Sequence, residues 1–268
     1  MTNMCRIKAT IEYTGQHFSG FQLQDADRTV QGVLEEALSN ITGGFVRVAG
    51  AGRTDSGVHA KGQVIAFDYQ GSLSPDDIMR AMNAKLPDDV AMLECVIVPG
   101  SFDPRRDASL RAYQYRILNR PFPSAFRRWN TWHVARNLDV SLMSAASRFF
   151  VGTHDFASYI KSDGGSTVRY ISDCVVWQEG DEVVVRVRGN AFGRRMVRRM
   201  VGALTNVGLQ IWEPDELAET LVQLNGGMNG PSAPAHGLTL LSVEYGNRIS
   251  IDKLFEGNLP DLEEAQAV

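Results

Sequence analysis

Apolar and polar residues alternate at the start of the chain, where Ile7, Ala9, Ile11 and Tyr13 are separated by polar side chains. A period of two places these four on one face of an extended strand, so residues 7–13 are predicted to form a half-buried β-strand. Other alternating or apolar runs, bounded by glycine, proline or polar residues, predict further strands. These runs are residues 45–49, 63–69, 90–98, 110–118, 168–177, 182–188 and 238–245.

Helices are indicated where apolar residues recur three or four positions apart. The clearest case is residues 30–41, which are followed by the helix-terminating pair Gly43 and Gly44. Ser74 and Asp139 are typical N-terminal caps, because their side-chain oxygens can accept hydrogen bonds from the free amides of a first turn. The predicted helices after the first therefore begin near residues 74, 139, 191 and 214, and the last of them ends at residues 226–227.

Strands and helices are mixed throughout the chain, which predicts an α+β protein made of two similar halves with mainly antiparallel sheets flanked by helices. Pro99, Gly100 and the arginine-rich stretch after them indicate a boundary. We therefore expect an N-terminal domain at residues 1–104 and a C-terminal domain at 105–250, with an acidic tail at 251–268. The active-site cleft is expected between the two halves.

The composition is that of an ordinary globular protein, with 268 residues, 44% apolar and 22% charged. The N-terminus alternates in polarity from its first residues, unlike a signal peptide, and no apolar run is long enough to span a bilayer. These features predict a cytoplasmic protein that is not inserted in a membrane. The three cysteines are far apart and show no metal-ligand spacing, so we expect reduced thiols and no metal site.

The net charge of −4 hides two clusters of arginine. The tail at residues 251–268 holds five acids against one base, and without it the acidic and basic residues balance. Residues 103–136 contain eight arginines against two aspartates, and residues 186–199 contain six arginines and no acid. Arginine binds phosphate oxygens through paired hydrogen bonds. Charge alone therefore leaves two interpretations open, a nucleic-acid-binding surface and a set of solvated arginines.

The most informative segment lies between two predicted strands and reads GAGRTDSGVHAKGQ over residues 50–63. Its glycines allow a tight backbone that can approach a ligand closely. Arg53 and Asp55 lie together in this loop, with hydroxyl residues on both sides of Asp55. Such a pair can simply stabilise a turn. A long loop carrying arginine, aspartate, hydroxyl groups and His59 together favours a functional site instead.

This loop resembles the signature G-R-T-D-A-G-V-H-A of the TruA family of tRNA pseudouridine synthases, with Ser56 in place of alanine. Other segments are similar to family elements in the same order, over most of residues 6–245. They are FSGFQLQ at 18–24, TVQGVLEEAL at 29–38, RAYQYRILN at 111–119, GTHDFASY at 152–159, GNAFGRRMVRRMVGAL at 189–204 and APAHGLTLLSVEY at 233–245. Gly193 departs from the family, which usually has leucine at this position.

The resemblance implies that the chain isomerises uridine to pseudouridine at positions 38, 39 and 40 of the tRNA anticodon arm. It implies that Asp55 is catalytic and that Tyr113 is the active-site tyrosine. Arg198 would be the basic partner of Asp55, and Arg53 would order the loop or bind the phosphate of the flipped nucleotide. It also implies a homodimer that works without a cofactor or metal, and extrusion of the target base from its stack.

The chemistry is consistent with a single carboxylate, since the reaction breaks an N-glycosidic bond and rejoins the uracil through carbon without oxidation or hydrolysis. The carboxylate could be a nucleophile toward the sugar or the base, or a base toward the ribose. Two other classes of protein remain as alternatives. An RNA-binding module without catalysis would leave the Asp55 loop unexplained. A glycoside hydrolase would need a second carboxylate.

Overall fold

A computed structural model of the chain describes residues 4–161, 164–222 and 231–246. The predicted acidic tail at residues 251–268 and the predicted end of the last helix at 226–227 lie outside these ranges. Within them, strands and helices are mixed and the sheet is mainly antiparallel, which confirms the predicted α+β class.

The strands of the described residues are β1 (Met4–Tyr13), β2 (Ala49–Gly50), β3 (His59–Gln70), β4 (Val90–Val98), β5 (Ala108–Asn119), β6 (Trp132–Val134), β7 (Gly152–Asp155), β8 (Val168–Glu179), β9 (Glu182–Gly189) and β10 (Leu238–Tyr245). They form one ten-stranded sheet in the order β4-β1-β3-β10-β5-β9-β8-β7, with β2 beside β3 and β6 beside β5. Neighbouring strands are antiparallel, except for the parallel pairs β10–β3 and β5–β6.

The helices of the described residues fall into two groups. Two of them pack together and one of these two lies against β4; the other three pack together and one of these three lies against β8. Thr29, Ser74 and Asp139 cap three of the helices with side-chain oxygens that accept first-turn amides. The helices are α1 (Val30–Thr42), α2 (Pro75–Asn83), α3 (Val140–Ser147), α4 (Met196–Gly208) and α5 (Pro214–Val222).

Several predicted elements differ in extent from the structure. The strand predicted at residues 63–69 begins earlier, because β3 starts at His59 within the segment predicted to be a loop. Residues 45–48 are not a strand, and β2 consists of Ala49–Gly50 alone. Helix α4 begins at Met196 and not near residue 191, because Arg195 has a left-handed φ of 64° that a helix cannot continue through. Gly193 precedes this turn and lies against the side chain of Ile160, where an added Cβ would be 2.5 Å from the nearest atom. A leucine at this position would therefore require the side chain of Ile160 to move.

Strand β10 lies between strands of the two predicted halves and places the candidate residues near one another. It pairs in parallel with β3 through Thr239 and His59, and antiparallel with β5 through Leu240 and Tyr113. The loop that carries Asp55 leads directly into β3. One continuous sheet thus supports both the loop and Tyr113. The division of the chain into domains at residue 104 stays a prediction.

Candidate active site

The loop at residues 51–58 is held in a fixed shape by the segment that follows β1. The amide of Phe21 donates to the carbonyl of Thr54 at 3.1 Å, and the amide of Gly57 donates to the carbonyl of Phe18 at 3.4 Å. Ser56 donates its hydroxyl to the same Phe18 carbonyl at 3.1 Å. Gly20 has a φ of +104°, and a Cβ there would lie 2.9 Å from the Thr54 carbonyl. The backbone around Asp55 is therefore preorganised.

Asp55 and Arg198 form an ion pair between residues 143 positions apart in sequence. The Nη1 of Arg198 donates to Oδ2 of Asp55 at 3.2 Å, and the side chains of Asp55 and Arg198 are 25% and 15% exposed. The same guanidinium donates from Nε to the carbonyl of Ala233 at 2.7 Å. Asp55 thus remains open to a ligand while its partner is fixed at two points.

The orientation of Arg198 depends on a close approach between α4 and the segment before β10. The amide of Ala233 donates to the carbonyl of Arg198 at 3.0 Å, so the two residues exchange hydrogen bonds. Gly202, one turn further along α4, makes this approach possible, since a Cβ there would lie 1.7 Å from the carbonyl oxygen of Pro231. A glycine costs some helix stability, and here it allows the contact that aims Arg198 at Asp55.

Tyr113 points from β5 toward the same loop. Its ring packs edge-on against Phe192 with centroids 5.1 Å apart, and the residue is 8% exposed. Its hydroxyl would lie 3.9 Å from a Cβ added at Gly52, and it has no hydrogen-bond partner among the described residues. Burial raises the pKa of Tyr113, and the neighbouring charge of Asp55 raises it further. Tyr113 is therefore a neutral phenol with a hydroxyl available to a ligand.

A cluster of buried polar side chains forms hydrogen bonds with the loop that carries Asp55. The Tyr13 hydroxyl and the Thr54 hydroxyl are 2.8 Å apart, and the Gln63 amide donates to the carbonyl of Gly52 at 2.8 Å. Burial raises the pKa of Tyr13 to about 12. Sequence reasoning missed Tyr13 and Gln63 as site residues. One signal was present, because Gln63 is a polar residue in the strongly apolar strand predicted at residues 63–69; in the structure it is fully buried within β3.

Replacing Tyr13 by phenylalanine is expected to destabilise the protein by about 1–2 kcal/mol, because the Thr54 hydroxyl loses a buried partner. Turnover should fall as well, since Thr54 adjoins Asp55. Tyr69→Phe is the matched control, because the Tyr69 hydroxyl accepts the amide of Leu73 at 3.1 Å in the loop that precedes α2. Urea unfolding and initial rates check both variants. Equal turnover in the two variants would contradict the assigned role of Tyr13.

His59 is fully engaged in holding the end of the loop. Its Nδ1 accepts the amide of Gly15 at 3.1 Å, which leaves Nε2 as the donor to the carbonyls of Trp129 at 2.8 Å and His236 at 3.1 Å. Burial lowers the pKa of His59, so the neutral ring is favoured. With both nitrogens bonded to backbone, His59 ties three segments together and has no free nitrogen for proton transfer.

Arg53 is exposed at the rim of the loop and forms no hydrogen bond or ion pair with any described residue. Arg194 and Arg195, which come just before α4, are also exposed and have no acidic partner in the described part of the chain. Other arginines of the two clusters are neutralised: Arg116 pairs with Glu182, Arg120 and Arg127 with Asp181, and Arg188 with Glu244. The charge clusters seen in the sequence are therefore only partly available to a ligand.

Two classes of site are not found in the described residues. No group of three histidine, cysteine, aspartate or glutamate side chains within residues 4–161, 164–222 and 231–246 is placed to share a metal ion. No helix in these ranges is long and apolar enough to cross a membrane. The expectation that catalysis needs no cofactor stays a prediction.

The sequence matches the family described as tRNA pseudouridine synthase over residues 9–104 and 146–246. It is 42% identical over 245 residues to tRNA pseudouridine synthase A of Pseudothermotoga lettingae, and the aligned region covers 90% of this chain and 100% of the relative. It is also 42% identical over 238 residues to the enzyme of the same name from Halalkalibacterium halodurans, covering 88% and 90% of the two chains. The chain belongs to the tRNA pseudouridine synthase family, and it is an isomerase that converts uridine in tRNA.

The candidate site residues do not all lie within the two ranges that match the family. Asp55 lies in its first matched range and Arg198 in its second, whereas Tyr113 lies between the two. Among solved structures, a chain of a Cbf5-Nop10-Gar1 complex is similar over 74% of this chain and 45% of its own length, with 14% identity and a TM-score of 0.32. We infer nothing about this chain from a likeness at that level.

Proposed function

We propose that this enzyme forms pseudouridine at positions 38, 39 and 40 of the tRNA anticodon arm, with Asp55 as its catalytic residue. The observation that carries the proposal is the Asp55–Arg198 pair, in which Asp55 is accessible and lies within a preorganised loop. A carboxylate with one oxygen fixed by a guanidinium is ready to act on a ligand with the other. The hydroxyl of Tyr113, which is without a partner in the described residues, faces the same loop.

In the proposed reaction the bond between uracil N1 and ribose C1′ breaks, the base turns, and C5 bonds to C1′. C5 loses a proton and N1 gains one, so atoms and electrons balance without another reactant. Asp55 can attack the ribose or the base as a nucleophile, or remove a ribose proton as a base. All three routes use the ionised carboxylate, and Arg198 compensates its charge in each. Trapping of a covalent adduct with 5-fluorouridine tRNA would separate the first two routes from the third.

The target base must leave the anticodon stack before Asp55 can reach its glycosidic bond, so we propose base flipping. Tyr113 offers a ring edge and a neutral hydroxyl to the extruded uracil. Arg53 lies two residues from Asp55 with its guanidinium unpaired among the described residues, which suits a phosphate of the flipped nucleotide. Fluorescence of 2-aminopurine beside position 39 should rise on binding, and an unchanged signal would count against flipping.

The rest of the tRNA is proposed to lie on the exposed arginines, including Arg194 and Arg195. Charge and shape hold structured RNA in this way without reading its sequence. We propose further that the enzyme is a homodimer, as the family resemblance implies, and that it is cytoplasmic, as its N-terminal pattern and the lack of a long apolar run predict. Sedimentation of the purified protein tests the dimer, and fractionation of cells tests the location; a monomer or a membrane-bound pool would contradict them.

The proposal is tested by incubating an unmodified tRNA transcript with the protein and mapping pseudouridine along it. We expect modification at uridines 38, 39 and 40 and nowhere else, and a transcript with cytidine at all three positions should remain unmodified. Release of free uracil would favour a hydrolase, and tight binding without any modification would favour an RNA-binding module. Pseudouridine at other positions only would refute the anticodon-arm assignment.

A further inference from the structure

Arg111 lies on the strand that carries Tyr113, and its buried guanidinium binds the first residue of the loop that carries Asp55. The residue is 8% exposed, although arginine is rarely buried to this degree. Its side chain donates to four backbone carbonyls, two that lie just before it in sequence and two that are distant, at Ala51 and Asn190. Nη1 donates to Asn190 at 2.6 Å and Ala108 at 3.3 Å, and Nη2 donates to Arg105 at 2.7 Å and Ala51 at 3.2 Å.

We propose that Arg111 is a positioning residue of the isomerisation, which fixes the start of the Asp55 loop relative to Tyr113. The inference rests on the proposed roles of Asp55 and Tyr113. The carbonyl that Arg111 binds at Ala51 belongs to the first residue of the loop. Arg111 and Tyr113 are two positions apart on β5, and their side chains therefore project from the same face.

The backbone of Arg111 is itself rigid, because β5 is an inner strand at this point. Arg111 lies opposite Gly189 of β9 on one side and Val243 of β10 on the other. Because the guanidinium is anchored in this way, the Ala51 carbonyl that it binds is held in a fixed position relative to the sheet. The planar fork of arginine can bind several carbonyls at once, whereas the ammonium of a lysine is a single point donor. The contact set therefore specifies arginine.

Arg111 acts on Tyr113 through its positive charge as well as through its contacts with the backbone. Burial is the main cause that raises the pKa of Tyr113, and the positive charge of Arg111 opposes that rise. A phenol that takes part in a proton step is helped by a nearby cation, because the cation stabilises its developing negative charge. Loss of Arg111 should therefore slow the chemical step more than it weakens tRNA binding.

The test compares Arg111→Gln and Arg111→Lys with Arg116→Gln as the matched control. Arg116 is on the same strand but on the opposite face, where it pairs with Glu182 at 2.6 Å and Glu179 at 3.3 Å. We expect Arg111→Gln to lower kcat about a hundredfold with KM nearly unchanged, since small displacements of reacting groups cost this much. Arg111→Lys keeps the charge and should recover about a tenth of the wild-type kcat. Arg116→Gln should keep the wild-type kcat.

Thermal melting of each variant separates positioning from simple loss of stability. A folded Arg111→Gln enzyme with wild-type kcat would overturn the inference, and so would a change in KM alone. If the glutamine variant does not fold, Arg111→Lys gives the same decision, because a folded lysine variant with an undiminished kcat also contradicts it.

Asp55→Asn is assayed in parallel. Activity in that variant would sink the proposed function itself, whereas an inactive Asp55→Asn beside an active Arg111→Gln would sink only the role of Arg111.

Discussion

Asp55→Asn is expected to lower pseudouridine formation by at least roughly 10⁴-fold while leaving tRNA binding within a few-fold of wild type. Asparagine keeps the shape of the side chain and can still accept from Arg198, so the fold should persist. It lacks the negative charge that every proposed route requires. The measurement is a single-turnover rate with excess enzyme, together with a filter-binding curve for the same transcript.

Asp89→Asn is a matched control for this experiment. Asp89 also pairs with an arginine, since both of its oxygens accept from Arg28 at 2.8 Å, and that pair lowers the pKa of Asp89. It therefore tests the loss of one aspartate–arginine ion pair that lies outside residues 51–58 and does not include Asp55. The Asp89→Asn variant should be somewhat less stable than the wild-type enzyme and should keep wild-type activity. If Asp55→Asn retains activity similar to that of the control, the carboxylate of Asp55 is not the catalytic group.

Much of the fold could be predicted from the sequence because its local signals and its tertiary packing agree. Residues 90–98 were predicted from their apolar run, and β4 has the same bounds. The caps at Ser74 and Asp139 were recognised because capping is a local interaction of a side chain with its own helix. The predictions failed where distant contacts decide the structure. The start of α4 is delayed by the turn at Arg195, and Gly193 before it is packed against Ile160.

The candidate site shows the same limit. The pattern around Asp55 could be recognised because the loop is contiguous in sequence. Gly202 could not be interpreted from the sequence, since its requirement comes from the Pro231 carbonyl that lies against it. Arg111 was visible as one member of an arginine cluster that suggested a phosphate-binding surface. Only the fold shows that its guanidinium is turned inward onto backbone carbonyls.

Arg198→Ala is expected to lower turnover by about 10²–10³-fold, because Asp55 loses the group that orients it and compensates its charge. The change also removes the hydrogen bond to the Ala233 carbonyl, so the segment before β10 should loosen. Arg198→Lys is the informative variant. A lysine can donate to Asp55 or to Ala233, but its single ammonium cannot reproduce both contacts of the guanidinium in their present geometry. Its activity should therefore fall between those of wild type and the alanine variant.

Arg199→Ala serves as the control for this residue, because Arg199 follows on the same helix and donates to the Ser158 carbonyl at 3.3 Å. It removes an equally long, half-buried arginine without touching Asp55. A double variant of Asp55→Asn with Arg198→Ala gives the sharper test, because residues that act as one unit are not additive. If the two act together, removing Arg198 from an enzyme that already lacks the carboxylate should cost almost nothing further. Full additivity of the two losses would mean that Arg198 acts independently of Asp55, and the ion pair would then not be the basis of catalysis.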